Sequence, residues 1–437
     1  MATSAELSAL RVDAGRLVGR LRELGQVGAI EGGGCARLAL TDADREGRDL
    51  VTMWMRDAGL DVTVDAIGNV VGTRPGREGG PPVLCGSHVD TVATGGIYDG
   101  NLGVLSGLEV VETLNDAGVV TRRPIAVAFF TDEEGSRFAP DMLGSLVYAG
   151  GLGVEAAHDI IAIDGARLGD ELERIGYLGS SPCPGLAPHA YVELHIEQGP
   201  VLDRAGEVIG AVTGIQGISW QELVISGQAN HAGTTPMAYR HDAGFVAASV
   251  ATFVRQMVSE IGPPQVGTVG RLVLHPDLVN VVAAKATMTV DLRNTDEVVL
   301  QGAEKRLADY VAEVAATEGV EVGHRRLARF EPVEFDPRVI SLVEQTAASF
   351  GFTARRLPAG AGHDAQMLAR MCPAGMIFVP SVGGVSHNPG EYTRPEHIAA
   401  GANILLQVLL RLAEEDQVPP VPGAPVPGAA DGPEVRP

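Results

Sequence analysis

The chain has 437 residues, 45% of them hydrophobic and 20% charged, enough to bury more than one core. Its 33 Lys and Arg against 55 Asp and Glu leave a formal net charge of −22. Such a field repels phosphates and argues against a nucleic-acid partner. No apolar run reaches the ~18 residues that a transmembrane helix requires. The first residues carry charges where a signal peptide needs its apolar stretch. Cys35, Cys85, Cys183 and Cys372 form no CxxC pair. They are expected to be buried thiols in a reducing, cytoplasmic setting.

In chain order, residues 5–60 read as helical, with Thr41 or Asp42 as an N-cap before the TDADREGRDL stretch. Residues 61–71 alternate as a strand, 75–82 form a Gly/Pro loop, and 82–88 read as a buried strand ending at His88. A helix over 102–117 and a second buried strand over 125–130 follow, the latter running into Asp132, Glu133 and Glu134. Strand, helix, strand with polar residues at strand ends predicts an α/β layer with a central, largely parallel sheet flanked by helices. Ligands gather beyond the carboxyl ends of such strands.

The pattern changes at about residue 214. Strands over 220–225, 268–274 and 287–292 and helices over 243–261 and 298–317 predict an α+β unit with an antiparallel sheet and two helices. The α/β pattern resumes with a helix over 338–350 and a strand over 376–380. The expected organisation is a discontinuous catalytic domain, 1–213 with 329–415, holding an inserted domain, 214–328. The Pro/Gly-rich stretch 416–437 has no periodicity and is expected to be disordered.

Metal-capable side chains fall at element ends: His88, Asp99, Glu133, Glu134, His195 and His387. Imidazole and carboxylate together suit zinc, and also manganese, cobalt or nickel. One carboxylate has two oxygens and can bridge two cations, and a neighbouring carboxylate can move the proton of an attacking water. No HExxH motif appears, so spacing alone does not establish the site.

The blocks GSHVDTVATGGIYDGNLGVLSGLE, FTDEEGSRF, ELHIEQGP, NHAGTTPM, VNVVAAKATMTVDLRNTD, PAGAGHDAQ and GVSHNPGEYT follow in that order. Together they resemble the M20-type amidases of the hydantoinase/carbamoylase family. That family includes N-carbamoyl-L-amino-acid hydrolases, β-ureidopropionase and allantoate amidohydrolase. The resemblance implies two divalent metal ions per subunit, zinc first, with Mn2+, Co2+ or Ni2+ as alternatives. By the same resemblance Asp99 bridges, His88 and His195 serve one ion, and Glu134 and His387 serve the other. Glu133 matches the general base, and Asp90 the carboxylate that orients the His88 ring. A histidine at 195 separates this branch from related peptidases, which carry a carboxylate there.

For the substrate, the resemblance gives Arg293 the carboxylate, Asn280 a further contact, and Gln198 the ureido group. His231 matches the donor to the tetrahedral oxyanion, and His363 lies in another substrate block. Arg293 suits a carboxylate because guanidinium binds it with two parallel hydrogen bonds. His231, Asn280 and Arg293 fall in the inserted domain, which is therefore expected to act as a lid hinged near 212–217 and 328–332. The family also implies a homodimer through this domain. The expected reaction is hydrolysis of a linear N-carbamoyl amino acid to amino acid, CO2 and ammonia. Allantoate hydrolysis is the alternative, and His231 and Asn280 act either in their own subunit or in the partner.

Overall fold

The computed structural model describes residues 4–415, and the Pro/Gly-rich tail at 416–437 lies outside the described residues. The strands are β1 (Asp61–Val64), β2 (Val70–Arg74), β3 (Val83–His88), β4 (Ile125–Phe130), β5 (Ala190–Ile196), β6 (Ile209–Ile215), β7 (Gly217–Ser226), β8 (Val266–His275), β9 (Lys285–Asn294), β10 (Glu321–Phe330), β11 (Val333–Glu334), β12 (Ala354–Ala359) and β13 (Ala374–Val379). They form two separate sheets.

The first unit comprises 4–213 and 335–415. Its sheet runs β1-β2-β4-β3-β5-β13-β6, with β12 also on β6, and the end of β6 continues past Thr213 to pair with the short β11 of the connecting segments. The centre, β4-β3-β5-β13, is parallel, and the strands beyond it on either side pair antiparallel. The core strands β3, β4, β5 and β13 are buried at every residue, as expected for a sheet covered on both faces. Helix Asn101–Asp116 is buried nearly all round, which explains why its sequence is apolar on every side.

The second unit, Gly214–Glu334, is an antiparallel sheet, β10-β7-β9-β8, with two helices. Helices Ala243–Ile261 and Glu297–Glu318 share a core with β7 and β9 that includes Val246, Val250, Ile225, Met288 and Leu307. Phe253 and Tyr310 stack between the helices with centroids 4.0 Å apart. Both helices begin where an aspartate caps free backbone N–H groups: Asp242 accepts from Gly244 and Phe245, and Asp296 accepts from Val299. Strand β10, absent from the expected pattern, runs to Phe330, and the unit ends at Glu334 rather than at 328. The connecting segments pair antiparallel, with Gly214 opposite Glu334.

Two further expectations need correction. Residues 25–41 leave the helix between Ala14–Leu24 and Asp42–Asp57 because Gly28, Gly32 and Gly33 take positive φ. Thr41 does cap the second helix, accepting from Asp44 N–H. Residues 61–71 are two strands rather than one. The Asp65 carboxylate accepts the N–H groups of Ile67 and Asn69, building the turn that folds β2 back on β1. Of the four cysteines, all free, Cys183 is only half-buried, and its thiol donates to Asp65.

Candidate active site

His88 ends β3 and His195 lies near the end of the neighbouring β5, so the parallel pairing sets two imidazoles side by side, with ring centroids 6.2 Å apart. Each ring is oriented through Nδ1, that of His88 by the Asp90 carbonyl at 2.9 Å and that of His195 by the Ile196 carbonyl at 2.8 Å. Nε2 of both rings therefore faces Asp99. Asp99 Oδ1 lies 3.7 Å from His88 Nε2 and 3.1 Å from His195 Nε2. Its other oxygen, Oδ2, lies 3.4 Å from His387 Nε2. His387 Nε2 is also 3.2 Å from Glu134 Oε2. One buried carboxylate thus turns one oxygen to each of two donor groups, His88–Asp99–His195 and Asp99–Glu134–His387. Gly100 makes the approach possible: its φ is +65°, and a Cβ there would overlap the His88 ring.

Glu133 is buried beside these groups, with Oε2 3.4 Å from His88 Nε2. Burial pushes its pKa well above the usual carboxylate value, and Asp364, Glu134 and Asp99 add to this against the pull of His88. Burial would raise Asp99 too, but the hydrogen bonds from His195, His387 and His88 hold it well below the usual range. Asp99 and Glu134 push His387 up to about 10.

Asp90 does not do what its motif position suggested. Its carboxylate stands 4.0 Å from His88 Nδ1, while its backbone carbonyl makes the hydrogen bond. The carboxylate instead accepts the N–H groups of Glu133 and Glu134, each at 3.3 Å. It anchors the backbone of the acidic pair. Gln198 donates from Nε2 to Asp99 Oδ2 at 2.8 Å, so its side chain meets the central carboxylate. His363 packs edge-on against His195 with centroids 4.4 Å apart, and its buried Nε2 has no hydrogen-bond partner among the described residues.

The other residues singled out in the sequence lie on the second unit and are more open. His231 and Asn280 are exposed and sit on adjacent loops, joined by the bond from Ala232 N–H to the Asn280 carbonyl. His231 Nδ1 accepts the N–H groups of Gly233 and Thr234 at 3.0 and 3.2 Å, so the neutral ring keeps its proton on Nε2. Arg293 is half-buried on β9. Its guanidinium donates to Asp291, two residues back on the same face, and lies over the Trp220 ring at 5.8 Å.

The family model for peptidase family M20/M25/M40 matches residues 84–411. An N-carbamoyl-L-amino-acid amidohydrolase of Rhizobium meliloti is 43% identical over 405 residues, 92% of this chain and 97% of that protein. The chain belongs to the M20 peptidase family. Within it, a solved hydantoinase/carbamoylase family amidase from Burkholderia multivorans is 45% identical with a TM-score of 0.89, covering 94% of this chain and all of that one. A ureidoglycolate hydrolase of Arabidopsis thaliana is more distant, at 34% identity over 93% of this chain and 88% of that protein. This M20 member is therefore a hydrolase of the amidohydrolase kind.

The residues present fit the divalent ions that an M20 enzyme uses. Among the described residues, the ion-pair partners of Asp99, Glu133 and Glu134 are histidines only. A buried carboxylate without an Arg or Lys needs another source of positive charge. Nitrogen and oxygen donors converging on the two faces of Asp99 suit zinc, manganese, cobalt or nickel.

Reading the sequence alone missed the supports of this site. Glu193, on β5 two residues before His195, accepts from Ser87 Oγ, the Tyr191 hydroxyl and Ala365 N–H. It thereby ties the strand of His195 to Ser87, next to His88, and to Ala365, two residues beyond His363. Arg37, fully buried, donates to the Val89 carbonyl and to Asn101 Oδ1, beside His88 and near Asp99. A polar residue inside a buried strand was the available signal for Glu193, and nothing local marked Arg37.

Proposed function

We propose that this enzyme hydrolyses the carbon–nitrogen bond of linear N-carbamoyl amino acids, N-carbamoyl-L-amino acids first. Ammonia, CO2 and the free amino acid are the products. The observation that carries the reading is Asp99, with one oxygen facing each histidine-bearing group and Glu133 beside them. His88, Asp99 and His195 would hold one divalent ion, zinc first, and Asp99, Glu134 and His387 a second. Ions there would polarise the ureido carbonyl and acidify water. Glu133 takes the proton of the attacking water and delivers it to the leaving nitrogen, a task suited to a carboxylate with a raised pKa. Asp90 fixes the backbone from which Glu133 projects.

His231 offers its Nε2 proton to the developing oxyanion. Arg293 receives the substrate carboxylate, exchanging Asp291 for it, and Asn280 supplies a further polar contact. Gln198 and His363 line the ureido end. We also propose a homodimer through the second unit. The edge strand β8 exposes Val266, Leu272, Val273 and Leu274, an apolar edge that a pairing strand would cover. Four free thiols accord with a cytoplasmic setting, and no helix among the described residues is long and apolar enough to cross a membrane.

The test is ammonia release by metal-loaded protein on N-carbamoyl-L-amino acids, N-carbamoyl-β-alanine, allantoate and ureidoglycolate, each repeated after chelation. Chelator-sensitive release from the first class is expected. Release from allantoate or ureidoglycolate alone would reverse the ranking.

A further inference from the structure

Glu391 lies four residues beyond His387 and is 5% exposed. Its Oε1 accepts the backbone N–H groups of Tyr98 and Asp99, each at 3.2 Å. Its Oε2 accepts the Ser386 hydroxyl at 3.0 Å. One carboxylate therefore joins the loop that carries Asp99 to the loop that carries His387. The join is built in: a Cβ at Gly96 would overlap the Glu391 carboxylate. A further link between these loops, from the Thr94 hydroxyl to the His387 carbonyl, is longer at 3.3 Å and exposed.

The His387 loop needs such a tie. His387 has φ +52°, a left-handed conformation that a non-glycine residue keeps only when its surroundings impose it. Its side chain is 49% exposed, whereas those of Asp99 and Glu134 are 4% and 6% exposed. Packing therefore fixes two members of the Asp99–Glu134–His387 group and leaves the third to its loop. The Ser386 hydroxyl lies 3.1 Å from Asp99 Oδ2 as well as 3.0 Å from Glu391. It has one proton for two carboxylates. A cation held by Asp99 would compete for that carboxylate and leave the proton to Glu391.

We propose that Glu391 is a positioning residue that sets the second cation position, Asp99–Glu134–His387, by clamping the Asp99 and His387 loops together. The proposal rests on the two-ion reading above. It bears more on the second position than on the first, because His88 and His195 sit on β3 and β5 and only Asp99 is shared with the clamp.

The experiment strips the full-length protein with a chelator and titrates it with Co2+ and with Zn2+. Ions per chain and both affinities are read by calorimetry, and the Co2+ absorption spectrum reports each position. Wild type should take two ions. Glu391→Ala should bind the second about tenfold or more weakly and the first with a much smaller loss. Glu391→Gln should restore both, because its carbonyl can accept the two N–H groups and its amide can donate to Ser386. Two ions bound by Glu391→Ala as tightly as by wild type would overturn the proposal. A Glu391→Gln protein as weak as Glu391→Ala would overturn the clamp as its basis. Fewer than two ions in wild type would overturn the two-ion reading itself, and the proposal with it. Should Glu391→Ala fail to fold, Ser386→Ala removes the Oε2 arm, together with the hydroxyl's contact to Asp99 Oδ2, and leaves the Oε1 arm in place. A weakened second ion then supports the clamp, and an unchanged one overturns it.

Discussion

The first unit presents His88, Asp99, Glu133 and His195 from a buried wall, fixed by backbone carbonyls, by N–H groups and by one another. The second presents His231 and Asn280 from exposed loops and Arg293 from an open sheet face, steadied by short local bonds. The difference matches the two tasks proposed above. Groups that handle cations and protons gain from low dielectric and rigidity. Groups that meet a soluble substrate must stay reachable and be held only enough to aim.

The sharpest way to break this comparison is at its centre. Glu133→Gln should cut turnover by about 10^2–10^4-fold. The bound ions should remain, as counted by metal analysis, and unchanged ammonia release would sink the role of Glu133. On the second unit, His231→Ala should lower kcat by roughly 10^2–10^3-fold, the scale of one lost oxyanion donor, with KM little changed. Arg293→Lys should act in the opposite sense, raising KM by about tenfold and sparing kcat, because an ammonium cannot form the paired hydrogen bonds.

Two tests address stability. The chain has two tryptophans, Trp54 in the first unit and Trp220 in the second. In Trp220→Phe and Trp54→Phe proteins, fluorescence melting reports each unit separately. Chelation should lower the Tm of the Trp54-reported transition by several degrees, about 2–4 °C per kcal/mol of binding lost. The Trp220-reported transition should not move, and an equal shift in both would deny that the ions belong to the first unit. The smallest effect is expected at Asp242→Ala, which removes a helix cap on the second unit and should cost about 1 kcal/mol in urea unfolding.

Legibility in the sequence followed the physics of each element. Helix Ala243–Ile261 and strand Ile125–Phe130 match their expected limits because their apolar patterns are long and uninterrupted. Strand β5 was not read as a strand because Glu193 and His195 break its apolar run, although both side chains are fully buried. Strand β10 was hidden by Arg325, Arg326 and Arg329, as befits an exposed edge. The central cluster was legible because its residues stand at strand ends in motif blocks. Arg37, Glu193 and Glu391 were not, since each acts on residues far away in the chain. Asp90 was found for the wrong reason. Its motif position marks its importance, but only distances reveal that it serves Glu133 and Glu134 rather than the ring beside it.

The pairing of Gly214 with Glu334 has a consequence for how such a chain can be rebuilt. The polypeptide leaves the first unit and returns to it at neighbouring points, about the spacing of two paired strands. To the first unit, everything between those points is a hairpin turn of unusual content. Its length imposes little further closure entropy, which grows only with the logarithm of the loop. The inserted unit can therefore be exchanged for a relative's, or trimmed to a short turn, at a seam the chain already provides. The substrate contacts proposed for His231, Asn280 and Arg293 would then move as a single block, with the buried wall left as it stands.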